Sequence, residues 1–134
     1  MSSARHAVRA GLLLALLLAA CTRSVELVNL TNGSILAGTH RVWDRSMTVT
    51  LPAGETARGL YTKLTTADIG GESLFFGVNA GELLGRHEAE RIYGYARLTG
   101  ERGTVVEIIF ASDWLGHGFG VARTSSNEEY RVTF

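Results

Sequence analysis

The residues able to do chemistry are few and scattered. One cysteine, four histidines and thirteen carboxylates are spread over 134 residues. Nucleophilic catalysis needs a Ser or Cys beside a base and an orienting acid, and no Gly-x-Ser-x-Gly element occurs. A metal site would draw on His40, His87 and His117, whose separations are not those of a ligand motif. His87-Glu88-Ala89-Glu90 is a compact polar patch suited to a solvated surface. Asp113 and His117 flank one loop and could meet in a local hydrogen bond. Glu107 stands alone in an apolar run, where an edge or solvent-facing position is the ordinary reading and a buried functional carboxylate the other. The stretch GHGFG at 116–120 lacks the Gly-Lys-Ser/Thr of a phosphate loop, and its glycines suit close strand packing or a bulge. No catalytic residue, metal ligand or cofactor is therefore expected. A deep pocket gathering Glu107, Asp113 and His117 would argue for an enzyme instead.

Cys21 has the most informative surroundings. Residues 1–9 carry Arg5 and Arg9 and no acid; residues 10–20 read AGLLLALLLAA; the small residues Ala19 and Ala20 then precede the cysteine. A basic start, a short apolar stretch and a small-residue exit are the parts of a secretory signal. A membrane-spanning helix needs about 20 apolar residues, more than this run supplies. A buried amphipathic helix would show a polar face, and there is none.

Leu18-Ala19-Ala20-Cys21 resembles the lipobox of bacterial lipoproteins. The resemblance covers the first 21 residues. It implies cleavage between Ala20 and Cys21, a diacylglycerol on the Cys21 sulfur and an acyl chain such as palmitate on the new amine. Each buried CH₂ contributes roughly 0.8 kcal/mol, and one chain alone holds only marginally, so several chains make a durable anchor. Thr22 stands where an Asp would resemble an inner-membrane retention signal. Its presence implies the outer membrane, facing the periplasm, if the host is Gram-negative.

Residues 1–20 are thus expected as signal, 21–24 as lipidated Cys and short tether, and 25–134 as one β-rich domain. Loss of Arg5 and Arg9 leaves eleven basic residues against thirteen acidic, a net charge of about −2. With no basic cluster, nucleic-acid binding has no electrostatic footprint. No cystine can form within the mature chain, so packing alone must stabilise the domain.

The remaining pattern is that of strands and turns. Val25–Leu30 and Ser34–Trp43 are strand candidates around Asn32-Gly33, with Asp44-Arg45-Ser46 as a break. Met47, Val49 and Leu51 alternate with threonines, Pro52-Ala53-Gly54 turns, and Ala57–Thr65 returns as partner. A loop over 66–72, a strand over 73–78 and a short helix or irregular loop over 79–90 follow. Arg91–Leu98 is a strand, 99–103 a turn, and Thr104–Ala111 suits a central strand covered on both faces. A last hairpin sets Phe119 and Val121 against Tyr130, Val132 and Phe134, and Phe134 should be buried. Offset by 59 positions, Val49 meets Ile108 and Gly59 meets Gly118, an apparent repeat that either a duplication or, more simply, a shared period of two would produce.

The tail over 91–134 resembles that of small uncharacterised bacterial lipoproteins, in which a Gly-rich strand pairs with a closing strand carrying Tyr. The expected fold is all-β, a small antiparallel sandwich or partly open barrel of about seven to nine strands. The expected role is a non-catalytic binding or structural one in the cell envelope, with membrane lipid and another envelope protein as partners. The alternative is an inhibitor of a lysozyme-like hydrolase. Trp114 and His117 form the candidate recognition surface, being aromatic and polar in one loop.

Overall fold

The computed structural model describes residues 22–64, 92–113 and 117–134. The readings made for Ala20, Cys21, the signal, the 66–90 region and Trp114 lie outside those residues.

Eight antiparallel strands form a closed barrel in simple sequence order. They are β1 (Thr22–Asn29), β2 (Ile35–Arg41), β3 (Ser46–Thr50), β4 (Thr56–Leu64), β5 (Ile92–Gly100), β6 (Val105–Ser112), β7 (Gly118–Thr124) and β8 (Glu129–Thr133). Closure comes from β8 returning to β1, with Leu27 opposite Val132 and Asn29 opposite Tyr130. The all-β expectation holds, and the eight strands among the described residues lie within the expected count. The sheet closes fully instead of opening or splitting in two. Closure removes both edges, and with them the unpaired backbone groups that make an edge strand a template for aggregation.

β1 starts at Thr22, earlier than the Val25 read from the sequence, and Thr22 is paired with Arg41. The residues taken for a tether are the first rungs of the sheet. Alternation of weakly apolar residues did not reveal them, because backbone pairing with β2 orders them whatever their side chains.

Period-two alternation sends one face of each strand inside. Val25, Leu27, Leu36, Met47, Val49, Leu51, Ala96, Leu98, Val106, Ile108, Tyr130 and Val132 fill the interior. An eight-stranded barrel is just wide enough for side chains to fill. One interior ring, Phe110, sits between two glycines on its neighbours, Gly94 on β5 and Gly120 on β7. A Cβ at Gly94 would fall 2.3 Å from that ring. The Gly-rich stretch thus serves close packing, as its composition suggested.

An even number of up-and-down strands puts the start of β1 and the end of β8 at one rim, here the lower. Four connections close the upper rim. Three of them repeat one hydrogen-bond scheme. Leu51, Gly100 and Thr124 donate their N–H to the carbonyls of Glu55, Thr104 and Glu128, at 2.7, 2.7 and 3.0 Å. Left-handed residues Gly54, Gly103 and Asn127 make the reversal, a position open to Gly and Asn. The first turn, Asn29–Ser34, is held by the Asn29 side chain, whose Oδ1 accepts from the N–H of Thr31 at 2.8 Å and of Asn32 at 3.1 Å. Glu55 links two upper tips: its carboxylate accepts the Arg102 N–H at 2.8 Å and the Thr104 hydroxyl at 2.9 Å. These bonds, the Arg102 one first, hold its pKa below the usual carboxylate range.

The apparent repeat spans three strands, so its two halves run in opposite directions through the barrel. A shared period explains it without a duplication.

Candidate functional site

The chemistry-bearing residues gather at the lower rim. β2 ends there at Arg41 and β3 begins at Ser46. Between them the chain turns through Val42, Trp43, Asp44 and Arg45, the last with a φ of 56°. Asp44 makes this turn possible. Its Oδ1 accepts the Ser46 N–H at 2.9 Å and the Ser46 hydroxyl at 2.6 Å. Arg41 Nη1 lies 3.7 Å from Oδ2 of the same carboxylate. The Ser46 bonds, helped by Arg41, lower the Asp44 pKa.

With the turn held from within, its two apolar residues face outward. Trp43 is 63% exposed and Val42 54%. Leu60 on the adjoining wall of β4 is 66% exposed and lies opposite Ser46. Exposed arginines 41 and 45 flank the pair, and half-buried Arg23 stands opposite His40. Beside them a cleft of about 450 Å³ opens on the outer wall, lined by Thr39, Arg41, Asp44, Ser46, Thr48 and Arg58 among others.

Inside the same rim an aromatic plug closes the barrel. His40 meets Phe134 edge-on at 5.1 Å between ring centroids and Tyr61 at 6.2 Å. Phe110 contacts Tyr61 at 5.5 Å and Phe134 at 4.9 Å. Phe134 is partly buried against the core, as the alternation of the last strand implied. His40 is only 4% exposed, and among the described residues neither ring nitrogen has a hydrogen-bond partner. Burial, with a contribution from Arg23, lowers its pKa. A neutral imidazole is therefore the form held in the plug.

The third lower connection carries the Asp113–His117 pair. His117 donates its backbone N–H to Asp113 Oδ1 at 3.0 Å, and its Nδ1 lies 3.5 Å from Oδ2. Both side chains are exposed, and with Ala111, Gly118 and Phe119 they line a cleft of about 280 Å³. This is the local bond anticipated between them.

Glu107 is elsewhere, and its solvent-facing reading is overturned. It sits in the middle of β6, fully buried, and accepts the Tyr95 hydroxyl at 2.5 Å. Its parity points it away from the barrel interior. Tyr95, Ile109 and Ala111 share that outer face and are buried too, so β6 is covered on both faces, as its continuous apolar run implied. Glu107 does not join Asp113 and His117. Among the described residues no group of three His, Cys, Asp or Glu side chains is placed to hold a metal ion.

Sequence reasoning passed over Trp43, and weighed His40 only as a metal ligand, not as part of the buried plug. The signal for Trp43 was an apolar pair enclosed by Arg41 and Asp44-Arg45. For His40 it was parity with Leu36 on one strand.

No family model matches the chain, and no curated protein or solved structure matches it.

Proposed function

We propose that the protein is a lipid-anchored component of the bacterial cell envelope whose barrel binds or supports a partner without performing catalysis. The observation that carries this reading is the sequence Leu18-Ala19-Ala20-Cys21 followed immediately by β1 at Thr22. Acyl chains on Cys21 would leave the barrel directly at its lower rim. The side chains filling the interior occupy the volume in which a barrel of this strand number would otherwise hold a small ligand. That directs binding to the outer surface and the rims. With Thr22 after the cysteine, the outer membrane is the proposed destination in a Gram-negative host.

The test is expression of the full chain in a bacterium, followed by mass spectrometry of the N-terminal peptide. The expected peptide begins at Cys21 with a diacylglycerol and a further fatty acid. Cys21→Ser should abolish the modification and release the protein from the membrane fraction. A mature peptide without fatty acids, or a Cys21→Ser protein that still fractionates with membranes, overturns the reading. Affinity capture of the lipidated protein from native membranes then identifies its neighbours.

A further inference from the structure

We infer that the β2–β3 turn is a membrane-docking element, which seats Val42 and Trp43 in the headgroup region of an anionic bilayer. The inference rests on the proposed anchor for its direction, but its chemistry is independent. Trp and Tyr favour the membrane–water interface, where an amphipathic ring keeps one edge apolar and the other wet. Long Arg side chains reach from an apolar position to phosphates. The turn presents this combination: exposed Val42 and Trp43 between Arg41 and Arg45.

Position supplies the second argument. Thr22 is paired with Arg41. Paired Cα atoms lie about 5 Å apart, and two further residues reach at most about 7 Å. Trp43 is thus within roughly 12 Å of the residue next to Cys21. An amphipathic face inserts about 5–10 Å into the headgroup boundary, so an anchor at Cys21 and a ring at Trp43 can share one surface.

Charge supplies the third. At the lower rim the described termini and turns carry Arg23, Arg41 and Arg45 against Asp44, engaged by Ser46 and Arg41, and Asp113, beside His117. The upper tips carry Glu55, Glu101 and Glu128 against Arg102, a net negative rim. An anionic membrane attracts the first rim and repels the second. The cleft beside the turn is lined by Arg41, already engaged with Asp44, and by Arg58, whose guanidinium is the group it offers a lipid phosphate. Docking of this kind fixes the barrel's orientation, which a flexible tether would leave free.

The test uses the mature protein purified from the full chain and placed in phosphatidylethanolamine/phosphatidylglycerol vesicles whose acyl chains are brominated near the glycerol. Comparison with Trp43→Phe isolates the emission of Trp43, since Trp114 is common to both. The expected result is a blue-shifted Trp43 component at least half quenched by bromine. Quenching should fall when phosphatidylcholine replaces the anionic lipid. In the Trp43→Phe background, Ile35→Trp reports from the upper rim and should stay unquenched. Unquenched, solvent-like Trp43 emission in membrane-bound protein overturns docking. A blue shift that grows with protein-to-lipid ratio in bromine-free vesicles assigns the turn to a second copy and also overturns it. Mass spectrometry reads the anchor separately. If the protein proves unacylated, quenching on addition to the same vesicles still supports docking, and its absence overturns it.

Discussion

Replacing His40 by Leu should cost little stability at pH 8 and should remove an acid sensitivity that the native barrel carries. His40 is buried among Tyr61 and Phe134 with neither nitrogen bonded to a described residue. A buried polar group left unpaired costs about 1–3 kcal/mol. Each edge-on aromatic contact contributes about 0.5–1.5 kcal/mol. The two effects oppose each other, so the net change at pH 8 should lie within about 1 kcal/mol of zero. The pH dependence is sharper. Burial lowers the folded-state pKa from 6.5, so below pH 6.5 the unfolded chain takes up a proton that the folded chain refuses. Stability is full above pH 6.5 and falls with acid until the folded pKa is reached. The slope is at most about 1.4 kcal/mol per pH unit, so the loss by pH 5.5 is at most about 1.4 kcal/mol, and its size reads out how far burial lowers the folded pKa. Asp44 and Glu55, whose pKa values are lowered, contribute their own acid loss only at lower pH. Contributions common to both proteins cancel in the comparison. Urea unfolding at half-unit steps from pH 8 to 5.5 measures the effect. Wild type should lose stability across that range relative to His40→Leu, by an amount equal to the integrated slope. Parallel pH profiles for the two proteins would refute the buried neutral imidazole.

Three further outcomes follow from the packing. Deleting Phe134 removes its contacts with His40 and Phe110 and a backbone bond to the Gly118 carbonyl; since the ring is only partly buried, about 1–3 kcal/mol should be lost, and an unchanged Tm would contradict its place in the plug. Tyr95→Phe deletes the hydroxyl bond to the buried Glu107 carboxyl and should destabilise by about 1–3 kcal/mol in urea titration, whereas a loss below about 0.5 kcal/mol would mean that bond is not formed. Ala53 holds a φ of 63° in the β3–β4 turn, so Ala53→Gly should raise stability by about 0.5–1 kcal/mol by relieving the left-handed backbone; a measured destabilisation would refute that strain.

Most strands were readable because their residues alternate or run apolar against clear turn chemistry. Met47, Val49 and Leu51 do face the interior, and β6 is buried on both sides. Gly33, Gly54 and Gly103 fall where the chain reverses. What escaped the sequence is what depends on partners distant along the chain. Closure requires β8 to find β1, and no local pattern encodes a pairing between residues 27 and 132. Thr22, Arg23 and Ser24 have no apolar alternation, so only their ladder with β2 reveals them as strand. Glu107 looked solvent-facing because a charge in an apolar run usually is; Tyr95, on the neighbouring strand, supplies the bond that makes burial tolerable. Trp43 was placed at the end of a strand, whereas the Asp44–Ser46 bonds end β2 two residues earlier and leave the ring outside.

The barrel also sets how far the protein can reach. β1 runs without interruption from Thr22 to Asn29, eight residues. At about 3.3 Å per residue and a tilt near 40°, it rises roughly 20 Å from the lower rim to the upper. A protein held by Cys21 therefore presents Leu30 and Ile35, its exposed upper apolar pair, at a nearly fixed height of that order. A long flexible tether would let a domain sample a large volume; a strand that begins at the residue after the proposed anchor does not. Under the proposed anchor, a partner engaged by the upper rim comes within about 20–30 Å of the bilayer, and one embedded in the same membrane meets the barrel wall first. Lengthening the connection tests this directly: inserting about ten Gly/Ser residues between Thr22 and Arg23 should loosen the lower end of β1 and uncouple the barrel from the membrane. Capture of the same neighbours in unchanged yield by such a variant would mean that proximity to the bilayer does not select the partner.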